Sequence, residues 1–181
     1  MQESITETGD QQQIAIPDGE GRPFTQRLHG YSRTVRLWDL ARGLSMTEDF
    51  RVIAKRRLQE AKILQQAKEY SGAYYLAGYS IECALKACVL KSMKRYHMPD
   101  KKVVVDSHTH NLEQLVGLAG LEQARKLHAS ANPTFGRNWA VVKDWNEASR
   151  YETWNAQDAA DLLQAIEQRG SGVFTWTKKH W

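Results

Sequence analysis

The sequence predicts an all-α protein, an antiparallel bundle of four to five main helices with a short helix at its C-terminal end. Three observations carry that expectation. Apolar residues recur at helical spacing from Phe50 onward. The stretch Ala73–Leu90 is apolar on nearly every face, as a helix at the centre of a bundle would be. Turn signals such as Asn132-Pro133 and Gly170-Ser-Gly172 separate the periodic segments by short connections, and strand-like alternation is almost absent. A length of 181 residues suits one domain, and 41% hydrophobic residues can furnish an ordinary core.

Taken in chain order, residues 1–45 read as a flexible polar head and residues 46–181 as the bundle domain. The head is rich in Gln, Glu and Asp, and Pro and Gly interrupt it up to Pro23. Leu37, Trp38 and Leu40 could dock as a short helix, limited by Gly30 and Gly43. Thr47 is the expected cap of the first main helix, with Glu48 and Asp49 placed to complement its dipole. Phe50, Ile53, Leu58, Ala61, Leu64 and Ala67 form its apolar stripe to about Tyr70, where Ser71-Gly72 is expected to interrupt it. The next helix runs from Ala73 to about Lys94, and a loop containing Pro99 follows. Asn111 is a candidate cap for a shorter helix bearing Leu112, Leu115, Val116 and Leu118, with Gln114 at the capping-box position. Leu121–His128 adds a turn or two. Asn138–Tyr151 is expected to be helical, with Trp139, Val142 and Trp145 along one side. Asn155 caps a helix whose buried stripe is Leu162, Leu163 and Ile166, and Val173–Lys179 closes the bundle with Phe174 and Trp176.

Composition narrows the function classes. The first twenty residues hold five acids and no base, so no secretory leader is expected. Ala73–Leu90 could span a bilayer by length, but Glu82 and Lys86 would each cost about 2.5–3.5 kcal/mol of insertion. No membrane association is therefore expected. Cys83 and Cys88 sit five apart on one helix and point in different directions, which suits reduced core thiols in a cytoplasmic protein. Residues 22–57 carry nine Arg or Lys against three acids, and Lys91, Lys94, Arg95, Lys101 and Lys102 form a second basic cluster. Such patches are either solvated faces or attractors of a phosphate backbone.

Gly78-Tyr-Ser-Ile-Glu-Cys-Ala-Leu-Lys-Ala87 resembles the second-helix signature of HEPN-domain proteins, in which a Tyr/Gly-rich turn leads into Glu-x-x-x-Lys. Tyr70–Tyr75, the start Thr109-His-Asn-Leu112, the series Trp139…Trp145…Arg150-Tyr151 and the tail Gly172–Trp176 resemble further parts of that family, in order, over about residues 48–178. The resemblance implies a helical bundle that usually forms a homodimer. It also implies a prokaryotic toxin–antitoxin or defence setting, with RNA or nucleotide as ligand, or a nucleotidyltransferase or antitoxin as protein partner. Nuclease members resemble one another in an Arg and a later His with four to six residues between them, working without metal. This sequence departs from that pattern: Arg150 is followed at those places by Asn155, Ala156 and Gln157, and Arg137 by Val142, Lys143 and Asp144. The one formal match, Arg22…His29, lies in the head. A binding module with little or no catalysis is therefore the first expectation. A metal-independent endoribonuclease with a rearranged Arg150/His110 pair is the alternative, and a non-catalytic structural adaptor is the third reading.

The candidate ligand or phosphate contacts are Glu82, Lys86, His110, Arg150 and Tyr151. Glu82 and Lys86 stand one turn apart, so they can pair, either as a structural ion pair joined by Arg150 or His110 or as part of a phosphate grip. Three valines followed by Asp106-Ser-His108-Thr-His110 look like the strand-borne metal motif of barrel hydrolases. Such barrels need about 250 residues, so these histidines are read as capping or supporting groups, and neither a metal nor a cofactor is expected. Trp139, Trp145 and Trp154 could stack on bases, but the spacing of the first two favours the core.

Overall fold

The computed structural model describes residues 49–93 and 100–181, and every described element is helical. The expectations for the head, including Leu37, Trp38, Leu40 and the Arg22…His29 match, lie outside the described residues, as do Lys94, Arg95 and Pro99. In chain order the elements are α1 (Phe50–Gln66), α2 (Tyr70–Ser92), α3 (Lys101–Asp106), α4 (Leu112–Leu118), α5 (Glu122–Ala131), α6 (Pro133–Val142), a 3-10 turn (Glu147–Tyr151), α7 (Ala156–Glu167) and α8 (Val173–Lys178). The all-α bundle read from the sequence is the fold observed.

α2 is the hub. It packs most extensively on α1 and also meets α4, α7, α8 and the 3-10 turn. Its composition allows this, because Ala73, Ala77, Gly78, Ala84 and Ala87 leave room for neighbours on several sides and all are buried. Larger side chains complete the same core: Phe135, Leu112, Leu115, Leu162, Ile166 and Trp145 are fully or almost fully buried. Each such side chain contributes roughly 1.5–3 kcal/mol by leaving water.

The boundaries of the first two helices differ from expectation for a packing reason. Asp49, not Thr47, caps α1, its carboxylate accepting from the Arg51 amide at 2.9 Å. The break falls at residues 67–69, where Lys68 takes a left-handed φ of 66°. Ser71 and Gly72 lie inside the first turn of α2 instead of breaking the chain. A Cβ on Gly72 would lie 3.0 Å from Leu64 Cδ1, so this glycine lets the ends of the α1–α2 hairpin approach each other. The Ser71 hydroxyl accepts from the Trp154 amide at 2.9 Å.

Further along, capping residues mostly act as read. The Asn111 side chain accepts from the Gln114 amide at 3.0 Å. The reciprocal half of that box is replaced, since Gln114 takes the Thr109 hydroxyl and Thr109 in turn accepts from the Asn111 amide. Asn132 ends α5 and caps α6, accepting from the Phe135 amide, with Pro133 in the first turn where no donor is needed. Asn155 and Asp158 form a complete capping box on α7. The helix expected over Asn138–Tyr151 is split: α6 stops at Val142 and the chain resumes as the 3-10 turn capped by Asn146. Buried Trp145 falls in that gap and is drawn onto α2. In the turn before α8, a Cβ on Gly172 would meet the Ile166 carbonyl at 2.5 Å, so only glycine fits there.

Candidate functional site

The polar centre is built on α2. Glu82 lies in the middle of this apolar helix and is 1% exposed. An ionised carboxylate so placed is costly unless it is paired and hydrogen-bonded. Two partners meet the requirement. Lys86 Nζ, one turn on, reaches Oε1 at 2.8 Å, and His110 Nδ1 reaches Oε2 at 3.0 Å. Because the carboxylate can only accept, the His110 Nδ1 carries the hydrogen. His110 is delivered by the connection just before Asn111, so the cap that starts α4 also sets the position of the ring.

The two partners differ in exposure. The Lys86 side chain is 16% exposed and that of His110 44%. His110 opens onto a polar cleft of about 410 Å³, also lined by Thr109, Asn111, Gln114 and Lys143. Lys86 borders a smaller pocket of about 140 Å³ between Phe50, Val89, Leu90 and His108. The two histidines of the Asp-x-His-x-His stretch thus go separate ways. The valines before them belong to α3, capped by Asp100, and not to a strand that would present alternate side chains to one ion. No three His, Cys, Asp or Glu residues among those described are grouped to hold a metal.

Arg150 and Tyr151 do not join this centre. The sequence leaves either Arg150 or His110 to join Glu82 and Lys86; Arg150 lies instead on the exposed 3-10 turn. Its guanidinium carbon sits 4.9 Å from the centre of the Tyr151 ring, and the Tyr151 and Tyr75 phenols hold its pKa above the usual value. Tyr151 is 80% exposed. Both ends of the turn are fastened to α2. Trp145 packs its indole directly on Gly78, and Trp154 stacks on Tyr74 with centroids 3.7 Å apart. The Trp154 ring nitrogen donates to the Ser149 carbonyl at 3.2 Å.

Two further residues belong to this face and were missed in the sequence. Tyr75 and Tyr79 stack with centroids 6.0 Å apart, one turn apart on α2, on the stripe that continues to Glu82 and Lys86. Their spacing with Glu82 and Lys86, at 75, 79, 82 and 86, was the available signal. Burial, with the nearby Cys83 thiol, pushes the Tyr79 phenol up to about 12. The thiols themselves are inert. Burial pushes Cys83 and Cys88 each up to about 11, and Cys88 Sγ faces the Thr177 carbonyl at 3.7 Å.

The family model for the HEPN domain matches residues 47–170. The chain belongs to the HEPN-domain family. HEPN domains are helical modules, often concerned with nucleotides or RNA, and they often dimerise. No curated protein and no solved structure matches the chain. No described helix is long and apolar enough to cross a membrane. Gly78, in the segment that carries the resemblance, has a physical reason to be glycine here: a Cβ would lie 2.2 Å from Trp145 Cγ.

Proposed function

We propose that this HEPN chain is a cytoplasmic, homodimeric module that binds RNA or nucleotide phosphate at the Glu82–Lys86–His110 centre, with little or no cleavage of its own. In this reading it serves a prokaryotic toxin–antitoxin or defence system, alongside an antitoxin or nucleotidyltransferase partner, with residues 1–45 as a head separate from the bundle. The observation that supports the binding reading is the Glu82 carboxylate, buried and doubly paired, holding a half-open His110 at the lip of a polar cleft. A carboxylate that orients an ammonium and an imidazole toward solvent prepares them for an anion.

The ribonuclease alternative needs His110 and Arg150 to act on one phosphate. Within the protomer His110 is bonded to Glu82 and Arg150 lies against Tyr151, which favours binding over cleavage. The test is incubation of purified protein with RNA in the presence of a chelator. Retention that weakens with salt and with His110→Ala, without cuts, is the expected result. Cuts ending in cyclic phosphate that vanish in both His110→Ala and Arg150→Ala would establish the nuclease instead. No retention even at low salt would leave the structural adaptor.

A further inference from the structure

We propose that Arg150 and Tyr151 form a stacking clamp for single-stranded RNA, in which Tyr151 takes the face of a base and Arg150 an adjacent phosphate. The inference rests on the RNA reading above and adds a contact point outside the Glu82 centre.

Folding gives Tyr151 nothing to do. It is the most exposed large hydrophobic side chain among the described residues, at 80%, so its ring adds little to the core. Among the described residues Arg150 is equally uncommitted to any acid. Glu147 and Glu152 flank it in the chain, yet it pairs with neither, and its neighbours are the phenols of Tyr151 and Tyr75. An exposed cation without a carboxylate partner among the described residues, lying on an exposed aromatic face, has the two groups that a single strand offers a match for: a phosphate and a base plane.

The clamp is also held in place before any ligand arrives. Trp145 on Gly78 and Trp154 on Tyr74 fix the two ends of the 3-10 turn to α2. A ligand therefore spends little free energy on ordering the loop. From the clamp, Tyr75, Tyr79, Glu82 and Lys86 follow along one face of α2. At 1.5 Å per residue that face runs about 16 Å, so a strand stacked at Tyr151 is aimed at the polar centre. The three tryptophans do not serve as base platforms: Trp139 and Trp145 are buried, and Trp154 is partly buried against Tyr74.

The experiment measures binding of a labelled 12-nucleotide single-stranded RNA, a 12-base-pair RNA duplex and adenosine monophosphate, with sedimentation of each variant alongside. Tyr151→Ala is expected to weaken single-strand binding roughly five- to 100-fold, with Tyr151→Phe close to wild type and the duplex bound more weakly throughout. Arg150→Gln is expected to lower the salt slope by about one. Because both side chains are exposed, melting temperatures should not move. If wild type retains RNA but Tyr151→Ala binds it equally well, the clamp is refuted and the Glu82-centred reading stands. A dimer that dissociates in Tyr151→Ala would make this surface a contact between copies and also refute the clamp. Monophosphate bound as tightly as the oligomer would refute the strand, and wild type that retains no RNA would overturn both readings.

Discussion

Gly78→Ala tests how the bundle holds Trp145 and the 3-10 turn against α2. Adding one methyl group places it 2.2 Å from Trp145 Cγ and 2.3 Å from both Cδ1 and Cδ2, in contact with the ring instead of the tip of a flexible chain. An ordinary contact begins near 3.4 Å, so the indole or α2 must shift by more than an ångström. Trp145 is 2% exposed and has Tyr75 beside it, so its indole is closely packed. Overpacking of this kind costs about 1–3 kcal/mol, and three ring atoms at such distances place the cost at the upper end. Exchange of glycine for alanine inside a helix returns about 1 kcal/mol through propensity. The net expectation is a loss of about 2 kcal/mol, or a melting temperature lower by roughly 6–8 °C. Circular dichroism melting reads the loss, and tryptophan fluorescence reads the displaced indole. In a Trp145→Leu background the clash is relieved, so Gly78→Ala should become neutral or stabilising. A Gly78→Ala protein that melts at or above wild type would refute the close packing of Trp145 on α2, and with it the account of how the 3-10 turn is held.

Two further perturbations probe the centre and the core. Glu82→Ala leaves Lys86 and His110 without their shared acceptor, and breaking a buried pair typically costs 3–5 kcal/mol. The solvent available to both side chains puts the expected loss near the low end, about 3 kcal/mol in a urea titration; an unchanged midpoint would mean that the pair is not buried. The second perturbation is alkaline pH. Cys83, Cys88 and Tyr79 are neutral when protonated, and burial keeps their folded-state pKa values up to about 11, 11 and 12. The unfolded chain therefore loses these protons first. Their contribution to stability is complete below the unfolded values and is lost as pH rises from about 9 for the thiols toward 11, and toward 12 for the phenol. Melting temperature should fall across that window, and less steeply in a Cys83→Ala/Cys88→Ala protein; equal slopes would refute the assignment.

The sequence disclosed what rests on local rules. Helix periodicity, the caps Asn111 and Asn155, the central place of Ala73–Leu90 and the Glu82–Lys86 pair all follow from spacing within a few residues. What it concealed depends on distant partners. Gly72 reads as a breaker until Leu64 is set against it, and Trp145 reads as one more helical residue until Gly78 is seen to accept its ring. α3 reads as part of a loop, or as a strand, because Val103–Val105 favour strands, yet the Asp100 cap closes a single turn around them. Whether Arg150 or His110 would complete Glu82 could not be decided from order alone, since Arg150 and His110 stand 68 and 28 positions from it.

The arrangement at Glu82 also limits how a ligand can be held. A carboxylate 1% exposed needs at least one cation at all times, because an uncompensated buried charge costs more than a surface contact returns. Lys86 is the partner suited to stay: it sits on the same helix one turn away and is 16% exposed. His110 is the one that can turn outward, being 44% exposed and carried on a connection instead of a helix. In the proposed binding reading, an arriving phosphate would therefore compete for His110 first, while Lys86 keeps Glu82 paired. In that division of labour Glu82–Lys86 is the fixed half of the centre and His110 the exchangeable half. Loss of His110 should then weaken binding with little effect on folding, whereas loss of Glu82 should unsettle the fold before it changes binding.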